Sequence, residues 1–454
     1  MDLSKFTINY KSSISDALIL IEKNTKGFVL LENKNKSIVG IVTDGDIRRK
    51  LIQKIKINES INLCSNKKFI YGNLNTQREK LLKQLDHKIK FIPILDNKNR
   101  LVNIVFRDNI PLRREEKVYS RSKSPVRISF GGGGSDTSTF FSNSNGAVIN
   151  ATISLYSHTL LRLRNDEKIA FHSNDLNDSI EFKNYDELVK YRGKFDLIKS
   201  VITTINPSFG FELHIDSDYP MNSGLGGSAV VASSIIGCFN EFRNDKWNSY
   251  DMAEIAFQSE RLYMNVAGGW QDQYATVFGG LNFMEFNAEQ NLINPIRLNN
   301  DILSQLEESL ILCYTGTTHN SDNIHIDQKQ KTKLKSVENR IIKNVKLTYE
   351  MRNHLLKGRL NNFGKCLHKA WEIKKSLSSK ISNNYLDDIY NEALENGAIG
   401  GKLLGAGGGG YFLFYTPSIN RINLINWIKE KGLLYTPFIF EKNGLKSWKV
   451  REKK

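Results

Sequence analysis

Pro220-Met221-Asn222-Ser223-Gly224-Leu225-Gly226-Gly227-Ser228-Ala229-Val230 lies between two segments of different character. Before it, Phe211-Glu212-Leu213-His214-Ile215 alternates apolar and polar residues, the period of a strand with one buried face. After it, residues 230–239 are small and apolar, the composition of a buried helix. A glycine loop between a strand and a helix start lets main-chain N–H groups approach a ligand without obstruction by Cβ. The helix start adds unpaired donors and the positive end of the dipole. Together these features predict an anion site, most simply for the phosphates of a nucleotide. An ordinary tight turn is the bland alternative when such a loop is read alone. It is not a Walker loop, because no Gly-Lys-Ser/Thr follows.

Two other glycine clusters keep this one company. Val126-Arg127-Ile128-Ser129-Phe130 reads as a strand and runs into Gly131-Gly132-Gly133-Gly134-Ser135-Asp136. A flexible loop needs neither an Arg inside its strand nor an Asp at its close. Further on, Gly400-Gly401-Lys402-Leu403-Leu404-Gly405-Ala406-Gly407-Gly408-Gly409-Gly410-Tyr411 enters the strand Phe412-Leu413-Phe414-Tyr415. Four successive glycines are too flexible to serve stability. Residues 250–264 have helical periodicity, with Met252, Ile255, Ala256 and Tyr263 on an apolar stripe and Glu260 upon it. A carboxylate aimed into a core is costly unless it is paired or coordinates a cation. The expectation is a cation, with a buried ion pair as the plain alternative. Gly268-Gly269-Trp270-Gln271-Asp272-Gln273-Tyr274 follows, with Asp272 twelve residues after Glu260.

The three glycine motifs, in this order over about residues 124–415, resemble those of the GHMP small-molecule kinases. The second departs from that family's Pro-x-Gly-x-Gly-Leu-Gly-Ser-Ser-Ala at Asn222, which replaces a glycine, and at Gly227, which replaces the first serine. Asn tolerates positive φ better than most residues. The first motif is similar to the Arg-Ile-Ser-Phe-x-Gly-Gly-Gly-Thr/Ser-Asp of the D-glycero-D-manno-heptose 7-phosphate kinase branch. Gly397-Ala398-Ile399-Gly400-Gly401-Lys402 and Trp371-Glu372-Ile373-Lys374-Lys375 look like that branch too.

The resemblance implies an α/β (α+β) fold of two subdomains: a part like ribosomal protein S5 domain 2 over residues 124–300, and a ferredoxin-like part over 301–454. It implies ATP and Mg²⁺ as cofactors. Asn222, Ser223, Gly224, Leu225, Gly226, Gly227, Ser228 and Ala229 would cradle the triphosphate, and Ser228 and Glu260 would hold the metal. Asp272 would accept the proton of the substrate hydroxyl. Arg127 would keep Asp272 ionised and steady the moving phosphoryl group. Asp136 would accept hydrogen bonds from sugar hydroxyls, with Gly133, Gly134, Gly407 and Gly408 lining the cleft. The substrate implied is a sugar or sugar phosphate, foremost the anomeric hydroxyl of the heptose 7-phosphate. A 7-phosphate needs a cation, and Lys374, Lys375, Lys402 and Arg162 are open choices. Lys374 continues an apolar helix face of Phe363, Cys366, Leu367, Ala370 and Trp371. It either carries its charge out to solvent on a long stem or faces the cleft. The alternatives are a kinase for another sugar, such as fucose or galactose, or a nucleotide sensor whose kinase half is inactive.

Residues 1–112 carry a weak internal repeat: helix, strand, polar turn, strand, helix start, twice over. Gly40-Ile41-Val42-Thr43-Asp44-Gly45-Asp46 in the first copy resembles the CBS-domain Gly-h-x-Thr/Ser-x-x-Asp. Thr43 and Asp46 would there hold an adenine nucleotide; Phe106 and Asn109 stand in their places in the second copy. A homodimerising module with no ligand is the other reading. Residues 113–123, charged and poor in apolar groups, read as the linker.

Composition narrows the rest. The 454 residues carry 64 Lys and Arg against 48 Asp and Glu, a net +16. That suits an anionic substrate, and no basic run interleaved with aromatics argues for nucleic acid. No apolar run reaches the roughly 20 residues that span a bilayer. The N-terminus lacks a signal-peptide core, and the four isolated cysteines fit a reducing cytoplasm.

Overall fold

The computed structural model describes residues 2–76, 78–85, 89–106, 118–264, 268–317 and 335–451. The chain divides into two units, Met1–Arg114 and Glu115–Lys454.

The first unit contains β1 (Thr7–Asn9), α1 (Ile14–Asn24), β2 (Phe28–Glu32), β3 (Ile38–Thr43) and α2 (Asp44–Ile52), then β4 (Gly72–Asn73), α3 (Arg78–Gln84), β5 (Phe91–Leu95) and β6 (Leu101–Phe106). Each set makes a three-stranded sheet with one parallel and one antiparallel pair, β1-β2-β3 and β4-β5-β6. The repeat expected from sequence is thus one topology used twice. Phe28 and Leu30 of the first copy share a core with Leu95, Ile104 and Phe106 of the second, and the Phe28 and Phe91 rings stack at 3.5 Å. Both α1 and α2 start in capping boxes, Ser13 with Asp16 and Thr43 with Asp46, which satisfy otherwise orphaned N–H groups. Asn109 and the stretch 111–117 lie outside the described residues.

The second unit is organised around β8 (Gly146–Leu163). This 18-residue strand pairs with β7 (Val118–Gly131) along nearly its whole length. On the other edge it takes β12 (Leu281–Phe286) at its first half and β11 (Phe211–Ser217) at its second. The sheet runs on through β9 (Ile169–Ser173) and β10 (Asp178–Phe182), through β13 (Asn291–Pro295), and through β18 (Lys446–Arg451) beside β7. The helices of this half are α4 (Ser138–Phe141), α5 (Tyr185–Lys190), α6 (Asp196–Ile205), α7 (Gly227–Asn240), α8 (Ser249–Phe257) and α9 (Gln271–Phe278). Then come α10 (Asn300–Ser309), β14 (Leu310–Tyr314), α11 (Lys335–Leu356), α12 (Leu360–Leu377), α13 (Asn384–Glu395), β15 (Gly400–Leu403), β16 (Tyr411–Tyr415), α14 (Arg421–Glu430) and β17 (Leu434–Thr436). The second sheet has the order β15-β16-β14-β17. Val126, Ile128 and Phe130 of β7 share one core with Met351, Leu355 and Phe363 of α11 and α12 and with Leu413 and Tyr415 of β16. That shared core brings the first and third glycine loops toward the same end as the second.

Two details differ from the sequence reading. Residues 118–123, expected as linker, are the first half of β7. They alternate, but Ser120 and Ser122 occupy the buried face, where their hydroxyls donate to the carbonyls of Cys238 and Ser234 on α7. Between β10 and β11 run α5 and α6, and α6 buries Ile198, Val201 and Ile202. The helix expected over 250–264 turns into a π-helical turn, Gln258–Tyr263. The wider turn rotates Tyr263 out to 58% exposure while Glu260 stays buried. The four cysteines are buried and unpaired. No helix among the described residues is long and apolar enough to cross a membrane.

Candidate active site

The centre of the site is an ion pair between residues 145 positions apart. Arg127, in β7, donates from Nε and Nη2 to the two carboxylate oxygens of Asp272, both at 2.8 Å, and from Nη1 to the Gly224 carbonyl at 2.7 Å. The Arg127 main-chain N–H also donates to the Leu225 carbonyl at 3.3 Å. The guanidinium side chain is 5% exposed and the carboxylate 22%. A bidentate pair of this kind fixes orientation as well as charge. One residue therefore ties the glycine loop 222–228 to the first turn of α9, which carries Asp272.

The loop has the backbone geometry that an anion site requires. Asn222 takes φ 56, Gly224 φ 82 and Gly226 φ 80. Gly226 is the N-cap of α7 and supplies no side-chain cap, so the first N–H groups, at Gly227, Ser228 and Ala229, open from the helix end. The two departures from the family pattern both have a local explanation. Asn222 adopts the left-handed conformation that its glycine counterpart would supply. A Cβ on Gly227 would sit 3.0 Å from the Tyr219 ring, so the position suits the residue it holds. Ser223 is buried, with its carbonyl accepting from Tyr411 at 3.1 Å, and Leu225 is in the core. Ser228 is exposed at the first turn of α7.

Asp136 does something the sequence did not suggest. Its carboxylate accepts main-chain N–H groups from Gly134 and from Gln271, each at 3.1 Å, and its carbonyl accepts from Trp270 at 3.0 Å. It therefore caps the start of α9 and positions Asp272 one residue further on. A Cβ on Gly269 would collide with this carboxylate, which explains the glycine there. Burial first, and the neighbouring Asp272 second, push the Asp136 carboxyl above the usual carboxylate range. In the same loop Gly134 takes φ 91, and the Gly133 carbonyl accepts from Asn344 at 3.2 Å.

Glu260 is 2% exposed, at the π-helical turn beside α7, and the Gln273 amide donates to it. Gln273 lies one residue after Asp272, and no local pattern in the sequence marks it as a partner of Glu260. The Oε1 atoms of Gln271 and Gln273 are buried without a hydrogen-bond partner among the described residues. A buried carboxylate with an amide neighbour and two orphaned amide oxygens on the adjacent helix is an oxygen-rich, electron-rich setting that fits a hard divalent cation.

The third glycine loop meets the second through Gly405 and Gly410. A Cβ on Gly405 would stand 2.5 Å from the Gly224 Cα. Gly407 and Gly408 lie against the turn at Ile381, to whose carbonyl the Gly408 N–H donates at 2.9 Å. Gly405 has φ 67, so Gly405→Ala combines a left-handed penalty of roughly 1–2 kcal/mol with overpacking of about 1–3 kcal/mol. The expected result is a lower melting temperature together with a raised KM for ATP, read by a thermal melt and steady-state kinetics.

Of the lysines, Lys374 turns inward. Its Nζ donates to the carbonyls of Leu403 at 2.8 Å and Gly405 at 2.6 Å. Burial, then Lys402 and Arg127, hold its amine well below the usual lysine value. Lys402 is buried, and its side-chain amine has no hydrogen-bond or ion-pair partner among the described residues. Burial first and Arg127 second bring its amine down to about 7, against the pull of Asp136. Lys375 instead pairs with Glu372 and Asp387, and Arg162 lies on the outer face of the large sheet near Glu212. In the first unit, Thr43 and Asp46 satisfy each other at the start of α2, with Arg49 on the Asp46 carboxylate at 2.6 Å.

The family described as GHMP kinases N terminal domain matches residues 196–280, GHMP kinases C terminal matches 351–422, and CBS domain matches 2–53. A D-glycero-alpha-D-manno-heptose 7-phosphate kinase of Campylobacter jejuni is 37% identical over 343 residues, which cover 73% of this chain and 99% of that protein. An L-fucokinase/L-fucose-1-P guanylyltransferase of Bacteroides fragilis is 28% identical over 64% of this chain and 34% of its own length. Among solved structures, a D-glycero-D-manno-heptose 1-phosphate kinase of Bacteroides thetaiotaomicron superposes with a TM-score of 0.61 at 26% identity, covering 73% of this chain and all of that one. The galactokinase of Lactococcus lactis with galactose bound shares the fold at 18% identity, with a TM-score of 0.60 over 72% of this chain and 95% of that one.

Proposed function

Because the chain belongs to the GHMP kinase family, we propose that it transfers the γ-phosphoryl group of ATP to the anomeric hydroxyl of a sugar that already carries a phosphate, foremost D-glycero-D-manno-heptose 7-phosphate. The observation that carries this reading is the Arg127–Asp272 pair, bonded to the glycine loop at Gly224. Phosphoryl transfer is mostly positioning and charge neutralisation. The open start of α7 receives the phosphates. Ser228 and Glu260 would hold Mg²⁺, which supplies charge neutralisation on the phosphate oxygens. Asp272 takes the hydroxyl proton, and Arg127 keeps Asp272 ionised and stands beside the group in flight. Asp136 holds α9 in register and leaves its remaining lone pairs to sugar hydroxyls. The reaction belongs in the cytoplasm, where ATP is supplied.

The substrate's own phosphate needs a cation, and the buried Lys402 amine, backed by Lys374, supports that part of the reading. The related heptose kinases are named for a 7-phosphate and for a 1-phosphate substrate. The test compares kcat/KM for heptose 7-phosphate, heptose 1-phosphate, and free heptose, fucose, galactose and mannose. Preference for the 7-phosphate is expected; equal turnover of unphosphorylated sugars contradicts the phosphate pocket.

Lys402→Met sharpens the test. A charge-assisted hydrogen bond contributes about 1.5–3 kcal/mol, so KM for the phosphorylated sugar should rise roughly 10–100-fold and KM for ATP should hardly move. The pH dependence has a defined sign. The native amine titrates near 7 and the unfolded one near 10.5, so between those values the unfolded chain binds a proton that the native chain refuses. Stability gained from this group therefore rises with pH across that window, and Lys402→Met flattens the slope. Above pH 7 phosphate binding must recharge the amine, so the wild-type KM for the phosphorylated sugar rises with pH.

The first unit carries the regulatory part of the proposal: an adenine nucleotide at Thr43 and Asp46, and a homodimer built on this module. Calorimetry on the full chain with AMP and ATP, alongside its mass by light scattering, tests both. Heat from AMP that disappears in Asp46→Ala supports the nucleotide site; no heat from AMP leaves the dimer as the unit's role.

A further inference from the structure

The outer face of the large sheet, opposite the side covered by α7, carries a cluster that plays no part in the site above. On β11, Phe211, Leu213 and Ile215 point into the core, so Glu212, His214 and Asp216 point out. On the neighbouring β9, Phe171 is buried and His172 faces out. The two strands are parallel, with His172 directly opposite His214. The rings stack with centroids 4.5 Å apart and planes 13° from parallel. The Glu212 carboxylate, two residues before His214 on the same face, accepts from His214 Nε2 at 2.9 Å and lies 3.6 Å from His172 Nε2. One donor atom from each residue falls within 4.8 Å of the other two. The two histidines line a groove of about 1220 Å³.

We propose that His172, His214 and Glu212 form a binding site for a divalent transition metal of the zinc type, separate from the Mg²⁺ of the kinase reaction. Two imidazoles and one carboxylate are ligands for borderline ions such as Zn²⁺ and Co²⁺, whereas Mg²⁺ prefers oxygen alone. The support behind the ligands is of the kind metal sites use. Ser179 on β10, in register with His172, lies 3.0 Å from His172 Nδ1. With Nδ1–H donating to the Ser179 hydroxyl, the His172 Nε2 lone pair is free and aimed at Glu212. His214 holds its proton on Nε2 in the metal-free state, where it donates to Glu212. Ligation moves that proton to Nδ1, so no net proton is released from a neutral ring. The ion takes the place of the hydrogen bond, bridging Nε2, Nε2 and Oε1. Small side-chain rotations bring these atoms to the spacing that metal–nitrogen bonds of about 2.1 Å require. Arg162 Nη1, 3.9 Å from the other Glu212 oxygen, orients the carboxylate and leaves Oε1 to the ion. His158 and Asp216 line the same groove, and His158 is engaged 3.4 Å from Asp218. Three protein ligands on an exposed face leave further positions for water.

The test uses tag-free full-length protein, stripped with chelator, then titrated with ZnCl₂ in excess Mg²⁺ by calorimetry. One equivalent per chain is expected, at least about ten-fold tighter than in the double variant His172→Ala, His214→Ala, with Glu212→Gln weakened about 10–100-fold. Co²⁺ should give visible d–d absorption in the wild type and not in the double variant. Zn²⁺ should also raise the melting temperature of the wild type alone, because an ion that binds only the folded sheet stabilises it. Sugar-kinase turnover of the metal-free variants should equal that of the metal-free wild type, which shows that they fold. Equal Zn²⁺ binding by wild type and double variant, or no binding by the wild type, overturns the proposal.

Discussion

Asp272→Asn is expected to lower kcat by about 10²–10⁴-fold, the usual contribution of a positioned general base, with little change in KM for ATP. Two physical effects act together. The amide cannot accept the proton of the sugar hydroxyl. It also places an NH₂ group against the Arg127 guanidinium, where two parallel N–H···O bonds of 2.8 Å now stand, so one of the two becomes a donor facing a donor. Arg127 would be left buried with half its pairing, and it is the residue that also holds the Gly224 carbonyl. Arg127→Lys should therefore act through the same unit. A single ammonium cannot reach both carboxylate oxygens and the loop carbonyl in that fixed fork, and the losses of the two variants should be far from additive. Steady-state kinetics of the two single variants and the double variant read this coupling. Unchanged turnover in Asp272→Asn would remove Asp272 from the chemistry.

Glu260→Gln is the second large effect, and it separates stability from activity. The Glu260 carboxylate is 2% exposed, with the Gln273 amide donating to it. Without a cation such a charge is costly to keep in the core. The isosteric amide removes the charge and still offers an oxygen to Gln273. The melting temperature in the absence of metal should therefore stay the same or rise. Turnover should fall by about 10²-fold or more, since metal neutralisation of phosphoryl charge is worth several kcal/mol, and half-saturation should need more Mg²⁺. Loss of activity together with loss of stability would mean that Glu260 is a structural residue.

What could be read from the sequence was local. The alternation of residues 211–215 and the glycines of 222–228 define a strand, a loop and a helix start without help from the rest of the chain. The unit repeat in residues 1–112 was legible for the same reason. The polar half of β7 was not. Its inward positions are serines that bond to carbonyls of α7, and a serine facing a helix backbone looks like a serine facing water until the helix is in place. The direction of Lys374 was undecided because periodicity places a side chain on a face but does not say where its last atom goes; the carbonyls of Leu403 and Gly405 decide it. The capping task of Asp136 was hidden because nothing in its own segment reveals a helix start 135 residues later. The π-helical turn at Glu260 left no local trace, yet it lets Glu260 stay inside while Tyr263 turns out.

The most direct measurement of the central claim is ³¹P NMR of the full-length protein turning over ATP and Mg²⁺ with D-glycero-D-manno-heptose 7-phosphate. The account predicts a second sugar phosphate resonance coupled to the anomeric proton, growing in step with ADP and absent with Asp272→Asn. ATP left intact, or ADP and free phosphate appearing with no new phosphate on the sugar, would contradict it.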